Sequence, residues 1–265
     1  MKKGVLFVIM LVAVAFLAMP LTSFAGGTIT GKVTYTGKPV DKEFSFAKFP
    51  NPKFCPKIPN KALSQGDKRI LKSIEVGAGG ALKGAVVAVA DIEDKEFIDS
   101  YKGTEVVAVF CEFQPYTGVV VPMKSFRVEN TDADPDDPKS VKGVLHNPHS
   151  FEVMGASSST VFNIGLAEKG SKLDKPATMR KAKNGSFFRL QCDQHEFMQS
   201  YFLPVMNKHF AVVKDDGTFE IPDVPAGKHK LVIWHPGDGK GMKAEVEVDV
   251  TEGGKATANA ALGKK

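Results

Sequence analysis

The sequence lacks the motifs that carry hydrolytic and phosphoryl-transfer chemistry. It has no nucleophile elbow, no phosphate-binding loop, no HExxH zinc motif and no convincing pair of carboxylates. Hydrolase and transferase functions are therefore left without a chemical centre. After the N-terminal segment, no long stretch repeats its apolar residues with a helical period, which argues against a helical protein.

Basic stripes interleaved with aromatic residues are also lacking. Residues 1–25 contain two lysines and no acid, and the remaining chain has 33 basic against 30 acidic residues. This mild positive charge gives little support to nucleic-acid binding. It allows a weakly acidic protein partner without requiring one.

Residues 1–25 have the pattern of a secretory leader. Lys2 and Lys3 precede an apolar run over residues 5–19, and small residues stand at Ser23 and Ala25. Cleavage is predicted after Ala25, and an exported, periplasmic location follows. The alternative is a membrane anchor, but the run is shorter than the ~20 residues that a span needs. No membrane insertion is expected once the leader is removed.

What the chain does have is strand pattern. In residues 244–250 valines alternate with acids, and residues 29–35 alternate similarly. Turn sequences such as Asp216-Gly217 separate these runs. The sequence predicts an all-β fold, with one short helix over residues 93–101 and an irregular excursion between residues 42 and 80.

Metal-capable side chains cluster in LQCDQHEFM. Cys192, His195 and Met198 follow a C-x2-H-x2-M spacing, which combines a thiolate, an imidazole and a thioether. These soft and borderline donors suit copper better than calcium or magnesium. Upstream, the segment HNPHSF offers His146 and His149 as a fourth ligand. Zinc stays an alternative, although a methionine ligand argues against it.

The two segments together, HNPHSF and CDQHEFM, resemble the type 1 (blue) copper cupredoxins, with a short amicyanin-like ligand loop. The longer stretch from CDQHEFMQSY into FAVVKDDGTFEIPDVPAGKHKLVIWHP is similar to exported proteins labelled methylamine-utilization or plastocyanin-like. The resemblance implies a Greek-key sandwich holding one copper ion and relaying single electrons.

Carried onto this sequence, the resemblance places the copper ligands at His146, Cys192, His195 and Met198. His146 is preferred to His149 because Asn147 follows it, and the family uses that asparagine side chain to steady the cysteine loop by hydrogen bonding. Asn147 and His149 are then expected next to the ligands rather than among them. The implied partner is a c-type cytochrome or a periplasmic dehydrogenase.

With Cys192 on copper, Cys55 and Cys111 are left to form a disulfide, which an oxidising compartment would preserve. A bridge from Cys192 to either of them would instead exclude the copper site. His195 is expected at an exposed edge through which electrons pass. Pro148 and Phe197 are expected beside it in a small docking patch.

The ends of the chain resemble a second family. The segments GTITGKVTYTGKPV, GAVVAVADI and KDDGTFEIPDVPAGKHKLVIWHP are similar to the carboxypeptidase-regulatory, transthyretin-like sandwich, which is Ig-like. In that family the second and third segments are near neighbours, whereas here more than a hundred residues separate them. We therefore expect a copper domain at residues 104–206, inserted into a discontinuous sandwich of residues 26–103 and 207–265.

Other features have simpler explanations. The acidic run at Asp132, Asp134, Asp136 and Asp137 lacks the glycine and glutamate of an EF-hand, so a solvated loop is expected. The histidines 209, 229 and 235 are expected to be structural. Two other functions are weighed against electron transfer: an exported adhesion or ligand-binding module with a degenerate metal site, and copper delivery. Catalysis is not expected, because four protein ligands leave no open position for a substrate.

Overall fold

The structure is a computed structural model that describes residues 26–263. The predicted leader and its cleavage point lie outside the described residues. No helix in this part of the chain is long and apolar enough to cross a membrane.

The prediction of an all-β fold is confirmed. The strands of the N-terminal half are β1 (Gly27–Tyr35), β2 (Lys42–Ser45), β3 (Ser64–Gln65), β4 (Lys68–Leu71), β5 (Val86–Val89), β6 (Thr104–Ala108), β7 (Phe113–Gln114), β8 (Thr117–Val120) and β9 (Ser125–Asn130). Those of the C-terminal half are β10 (Pro148–Met154), β11 (Ser157–Asn163), β12 (Lys172–Pro176), β13 (Phe187–Cys192), β14 (Gln199–Pro204), β15 (Phe210–Val212), β16 (Thr218–Val224), β17 (Gly227–His235), β18 (Met242–Val250), β19 (Lys255–Thr257) and β20 (Ala260–Leu262).

The predicted short helix is present as α1 (Lys95–Ser100). The carboxylate of Asp94 caps it by accepting a hydrogen bond from the backbone N–H of Phe97 at 2.9 Å. This bond satisfies one of the N–H groups that a helix start leaves without a partner. Short 3-10 turns, such as Phe46–Lys48 and Cys55–Lys57, make up the other helical residues of the described chain.

Strands β6 to β14 form two sheets that face each other, here called the inner sandwich. One sheet has the strand order β11-β10-β13-β14-β8, and the other has the order β12-β9-β6-β7. Phe126 of the second sheet packs on Phe188 and Phe202 of the first, with ring centroids 4.5 and 5.1 Å apart. The candidate site residues lie beside this core, where β13 ends and just before β10 begins.

A second pair of sheets, here called the outer sandwich, is built from both ends of the chain. In one sheet β1 lies beside β16, β19 and β20, and in the other the order is β15-β5-β17-β18. The strict alternation seen in the sequence gives β18 one inward face, on which Val248 and Val250 are buried. The acidic residues lie on the opposite, exposed face. A third apolar cluster joins the two sandwiches, where Trp234 packs on Phe187 at 5.4 Å.

Residues 42–71 form a small unit, here called the cap. Strands β2, β4 and β3 pair within it, so the predicted irregular excursion contains a three-stranded sheet. The predicted disulfide is confirmed: Cys55 of the cap is bonded to Cys111, in the turn between β6 and β7. Phe54 stacks on Phe110 beside this bond at 5.9 Å. The cap is thereby held against the inner sandwich.

Candidate metal centre

Residues 192–198, here called the ligand loop, connect β13 to β14. Backbone hydrogen bonds within the loop close it. The N–H of His195 donates to the carbonyl of Cys192 at 3.3 Å, and the N–H of Met198 donates to the carbonyl of His195 at 2.8 Å. The N–H of Cys192 in turn donates to the carbonyl of Met198 at 3.0 Å. Two successive turns therefore return the chain to its starting point. The C-x2-H-x2-M spacing is the spacing that this geometry needs.

His146 reaches the same place from the neighbouring strand. Its backbone N–H and C=O both pair with Leu166, at 3.1 and 2.7 Å. Two residues later β10 begins, and Pro148 stands opposite Cys192 in the ladder with β13. Sheet register therefore brings His146 and Cys192 into contact, although they are 46 positions apart in the chain.

The two imidazoles converge on one sulfur. The Sγ of Cys192 lies 4.0 Å from the Nδ1 of His146 and 3.8 Å from the Nδ1 of His195. The three candidate ligand atoms lie within 4.8 Å of one another, and all three residues are buried. Met198 is buried beside them, 1% exposed.

Each imidazole is held from behind through its other nitrogen. The Nε2 of His146 is 2.8 Å from the Oδ2 of Asp132, and the Nε2 of His195 is 3.1 Å from the carbonyl oxygen of Pro50. Because both partners accept hydrogen bonds, each histidine carries its proton on Nε2 and turns a free Nδ1 lone pair toward Cys192 when neutral. This is the tautomer that a ligand through Nδ1 requires.

The surroundings also favour the thiolate form of Cys192. Burial raises the pKa of this thiol, but the hydrogen bonds and charges of His146 and His195 outweigh burial, and the pKa falls to about 6. Burial likewise lowers the pKa of His146, yet its bonds to Asp132 and Cys192 raise it overall. The backbone N–H of Asn147 donates to the sulfur at 3.3 Å. The lowered pKa favours the thiolate, which is the form that binds metals, and it belongs to the state in which the imidazoles donate to the sulfur through Nδ1.

The predicted exposed edge at His195 is wrong, because the cap covers this histidine. His195 is 0% exposed, and Phe197, on the same loop, is 2% exposed. The rings of Phe44, Phe46 and Phe49 surround Phe197 at 6.1, 6.0 and 5.2 Å. The predicted docking patch of Phe197 and Pro148 is wrong for the same reason, since Pro148 is also buried.

The two neighbouring residues, Asn147 and His149, contact this loop in different ways. Asn147 acts on the sulfur through its backbone N–H, and its side-chain Oδ1 has no hydrogen-bond partner within residues 26–263. His149 faces away from the sulfur. Its ring nitrogens lie 3.1 Å from Asp193 and from Thr160, so it braces the outside of the ligand loop.

Asp132 is the residue that the sequence interpretation missed. The expectation of a solvated acidic loop is wrong for Asp132 and Asp134, each 3% exposed. The carboxylate of Asp132 accepts from His146 and from the backbone N–H groups of Phe110 and Cys111, the latter two at 2.6 and 2.9 Å. The signal was present, because β9 buries every second residue and Asp132 continues that alternation beyond its end.

The remaining histidines take no part in the site. His229 bonds to Asp91 and to the carbonyl of Pro225, and the Nδ1 of His235 accepts from the N–H of Gly237 at 3.0 Å. The groups of metal-capable residues found within the described chain do not include them or His209. Those groups do include the sulfurs of Cys55 and Cys111, which lie within 4.8 Å of a ring nitrogen of His195.

No protein-family model matches the chain, and no curated protein matches it by sequence. Among solved structures, it is similar to the purple cupredoxin of Nitrosopumilus maritimus, with 14% identity and a TM-score of 0.28 over 38% of this chain and 99% of that one. An oxidized mutant of amicyanin is 15% identical, with a TM-score of 0.28 over 44% of this chain and 90% of that one.

A copper-containing nitrite reductase from Thermus scotoductus is 14% identical, with a TM-score of 0.29 over 40% of this chain. The chain spans only 23% of that enzyme's length. Likenesses this weak carry no argument about function, so the case for a metal rests on the donor atoms themselves.

Proposed function

We propose that the protein binds one copper ion through His146, Cys192, His195 and Met198 and passes single electrons to and from a redox partner. The observation that carries this proposal is the convergence of two imidazole Nδ1 atoms on one buried thiol, at 4.0 and 3.8 Å. A bound copper ion would supply reversible one-electron chemistry between Cu(I) and Cu(II).

The residues present fit such an ion. Cys192 offers a thiolate, His146 and His195 offer lone pairs already fixed in direction, and the loop turns supply Met198 as a weak fourth donor. The burial of all four side chains excludes water. Because four protein donors would leave no open position for a substrate, we favour electron transfer over catalysis.

The proposal extends to the setting of the site. We propose that residues 104–206 are a cupredoxin-like domain inserted into a transthyretin-like sandwich of residues 26–103 and 207–265. The pairings of β1 with β16 and of β5 with β17 support this division. We further propose that residues 1–25 direct export to the periplasm, where a c-type cytochrome or a dehydrogenase would be the redox partner.

Optical spectroscopy of the copper-loaded protein tests the assignment. Wild type is expected to show an intense visible Cu(II)–thiolate band, and Cys192→Ser is expected to abolish it. His146→Gln and His149→Gln form a matched pair, because only His146 faces the sulfur. We expect His146→Gln to remove or shift the band and His149→Gln to leave it in place.

Three other results would contradict the proposal. A colourless protein that takes up Cu(I) without cycling would indicate copper delivery. Failure of the mature wild type to bind copper would indicate an adhesion or ligand-binding module. A visible band that survives Cys192→Ser would place the copper elsewhere.

A further inference from the structure

The cap supplies a short bonded connection between the candidate metal centre and the surface. The N–H at Nε2 of His195 donates to the carbonyl of Pro50 at 3.1 Å, and Pro50 itself is exposed. A single hydrogen bond therefore links a buried ligand candidate to a residue in contact with solvent. Phe49 gives a second connection, made by ring packing. Its half-buried ring lies 5.2 Å from the ring of Phe197, and that ring lies 5.6 Å from the imidazole of His195.

Exposed lysines stand on both sides of Pro50 in the cap. From residue 44 to residue 66 the cap has four lysines and no acidic residue. Lys57 is bound to Asp134 and Asp136 at 3.0 and 2.9 Å, so its charge is more than offset and it adds nothing to the positive charge of the cap. Lys48 and Lys53 are exposed and form no ion pair within residues 26–263. They stand two and three residues from Pro50, on either side of it.

Several nearby acids are engaged with other groups. Asp193 of the ligand loop is engaged with His149 and Asn163, at 3.1 Å from each. Glu196 is exposed and follows His195, and it is the one acid between His195 and the start of β14. The cap therefore presents an apolar centre made of Phe49, Pro50 and Pro52, and two unpaired lysines flank it. Weak encounters between redox proteins use surfaces of this kind.

We propose that the cap face formed by Phe49, Pro50, Pro52, Lys48 and Lys53 is the docking surface for an acidic redox protein, and that electrons cross it through Pro50 and His195. The inference rests on the proposed function for its electron-transfer step. The docking step depends only on charge and shape, so it can be tested in the metal-free protein.

The first experiment locates the docking surface without copper. Hexacyanochromate(III) is anionic, redox-inert and paramagnetic, and it broadens the amide resonances near which it resides. At an ionic strength of about 0.01 M, where charges act over ~30 Å, we expect the amides of residues 48–53 to broaden first. The double variant Lys48→Glu/Lys53→Glu is expected to lose this broadening.

The matched control is Lys228→Glu/Lys255→Glu, which makes the same change in net charge at exposed positions of the outer sandwich. It is expected to keep the broadening at residues 48–53. Broadening centred elsewhere, or equal loss in both double variants, would overturn the docking surface whether or not the protein binds copper.

The second experiment measures electron transfer from the reduced, copper-loaded protein to hexacyanoferrate(III). We expect the cap variant to react roughly tenfold more slowly than the control variant at about 0.01 M ionic strength, and the difference to vanish near 1 M. Equal rates for the two variants at low salt would show that electrons leave by another face, even if the anion docks on the cap.

Discussion

Replacing Asp132 by asparagine tests whether this carboxylate supports the candidate metal centre. The substitution keeps the shape of the side chain and removes one negative charge. In the folded protein the carboxylate accepts three hydrogen bonds, from His146 and from the N–H groups of Phe110 and Cys111. An amide offers one oxygen in place of two, and its NH2 group would face at least one of these donors.

The expected loss of stability follows from that mismatch. A hydrogen bond to a charged group contributes about 1.5–3 kcal/mol, and a buried donor left without a partner costs about 1–3 kcal/mol. Phe110 and Cys111 both have left-handed backbone angles, with φ of 49° and 55°, which the carboxylate helps to hold. We expect Asp132→Asn to lower the free energy of unfolding by about 2–4 kcal/mol, or the melting temperature by about 5–15 °C.

The same change is expected to weaken metal binding, because the imidazole of His146 loses the acceptor that fixes its orientation. Removal of such a partner typically reduces metal affinity about 10–100-fold. Calorimetry of the metal-free protein and competition with a copper chelator measure the two effects. Asp136→Asn is the control, because it removes the same charge from a side chain that is 80% exposed. If both variants melt and bind copper alike, Asp132 does not have this role.

Two further predictions concern the rest of the chain. Replacing both Cys55 and Cys111 by alanine is expected to cost about 4 kcal/mol in urea denaturation, because the bond closes a loop of 56 residues; a loss below about 1 kcal/mol would contradict this. Burial lowers the pKa of His235 to about 4, whereas in the unfolded chain it is about 6.5. Above a pH of about 6.5 this histidine is neutral in both states, and folding carries no penalty for keeping it neutral. We expect about 3 kcal/mol of stability to be lost as the pH falls from about 6.5 through about 4, since protons then bind the unfolded chain more readily. Denaturation of His235→Asn across this range should show a smaller pH dependence than wild type, and equal slopes would refute the assignment.

Local pattern was enough to predict the strands that bury one face. The alternation over residues 244–250 predicted β18. Strand β12 gives no such pattern, because its residues 172–176 are mostly charged or exposed at a sheet edge. Strand β11 gives little, since its first four residues are exposed serines and a threonine. Edge strands with polar surfaces carry little hydrophobic signal.

The burial of His195 had no such local signal. The contact with Pro50 joins residues 145 positions apart, and the cap that makes it is rich in proline and lacks alternation. Asp132 differs, because extending the period of two in β9 past Asn130 places it on the buried face. Its partner could be inferred only after His146 was placed by sheet pairing.

The two supports of the imidazoles come from different parts of the chain, and the disulfide joins them. Asp132 belongs to the inner sandwich and holds the N–H of Cys111, whereas Pro50 belongs to the cap, five residues before Cys55. A fragment of residues 104–206 would keep all four proposed ligands but lose the Pro50 carbonyl, the disulfide and the aromatic cover of Phe197. His195 would then be free to rotate and to meet water. The cap is therefore a part of the candidate metal centre in physical terms, although it contributes no proposed ligand.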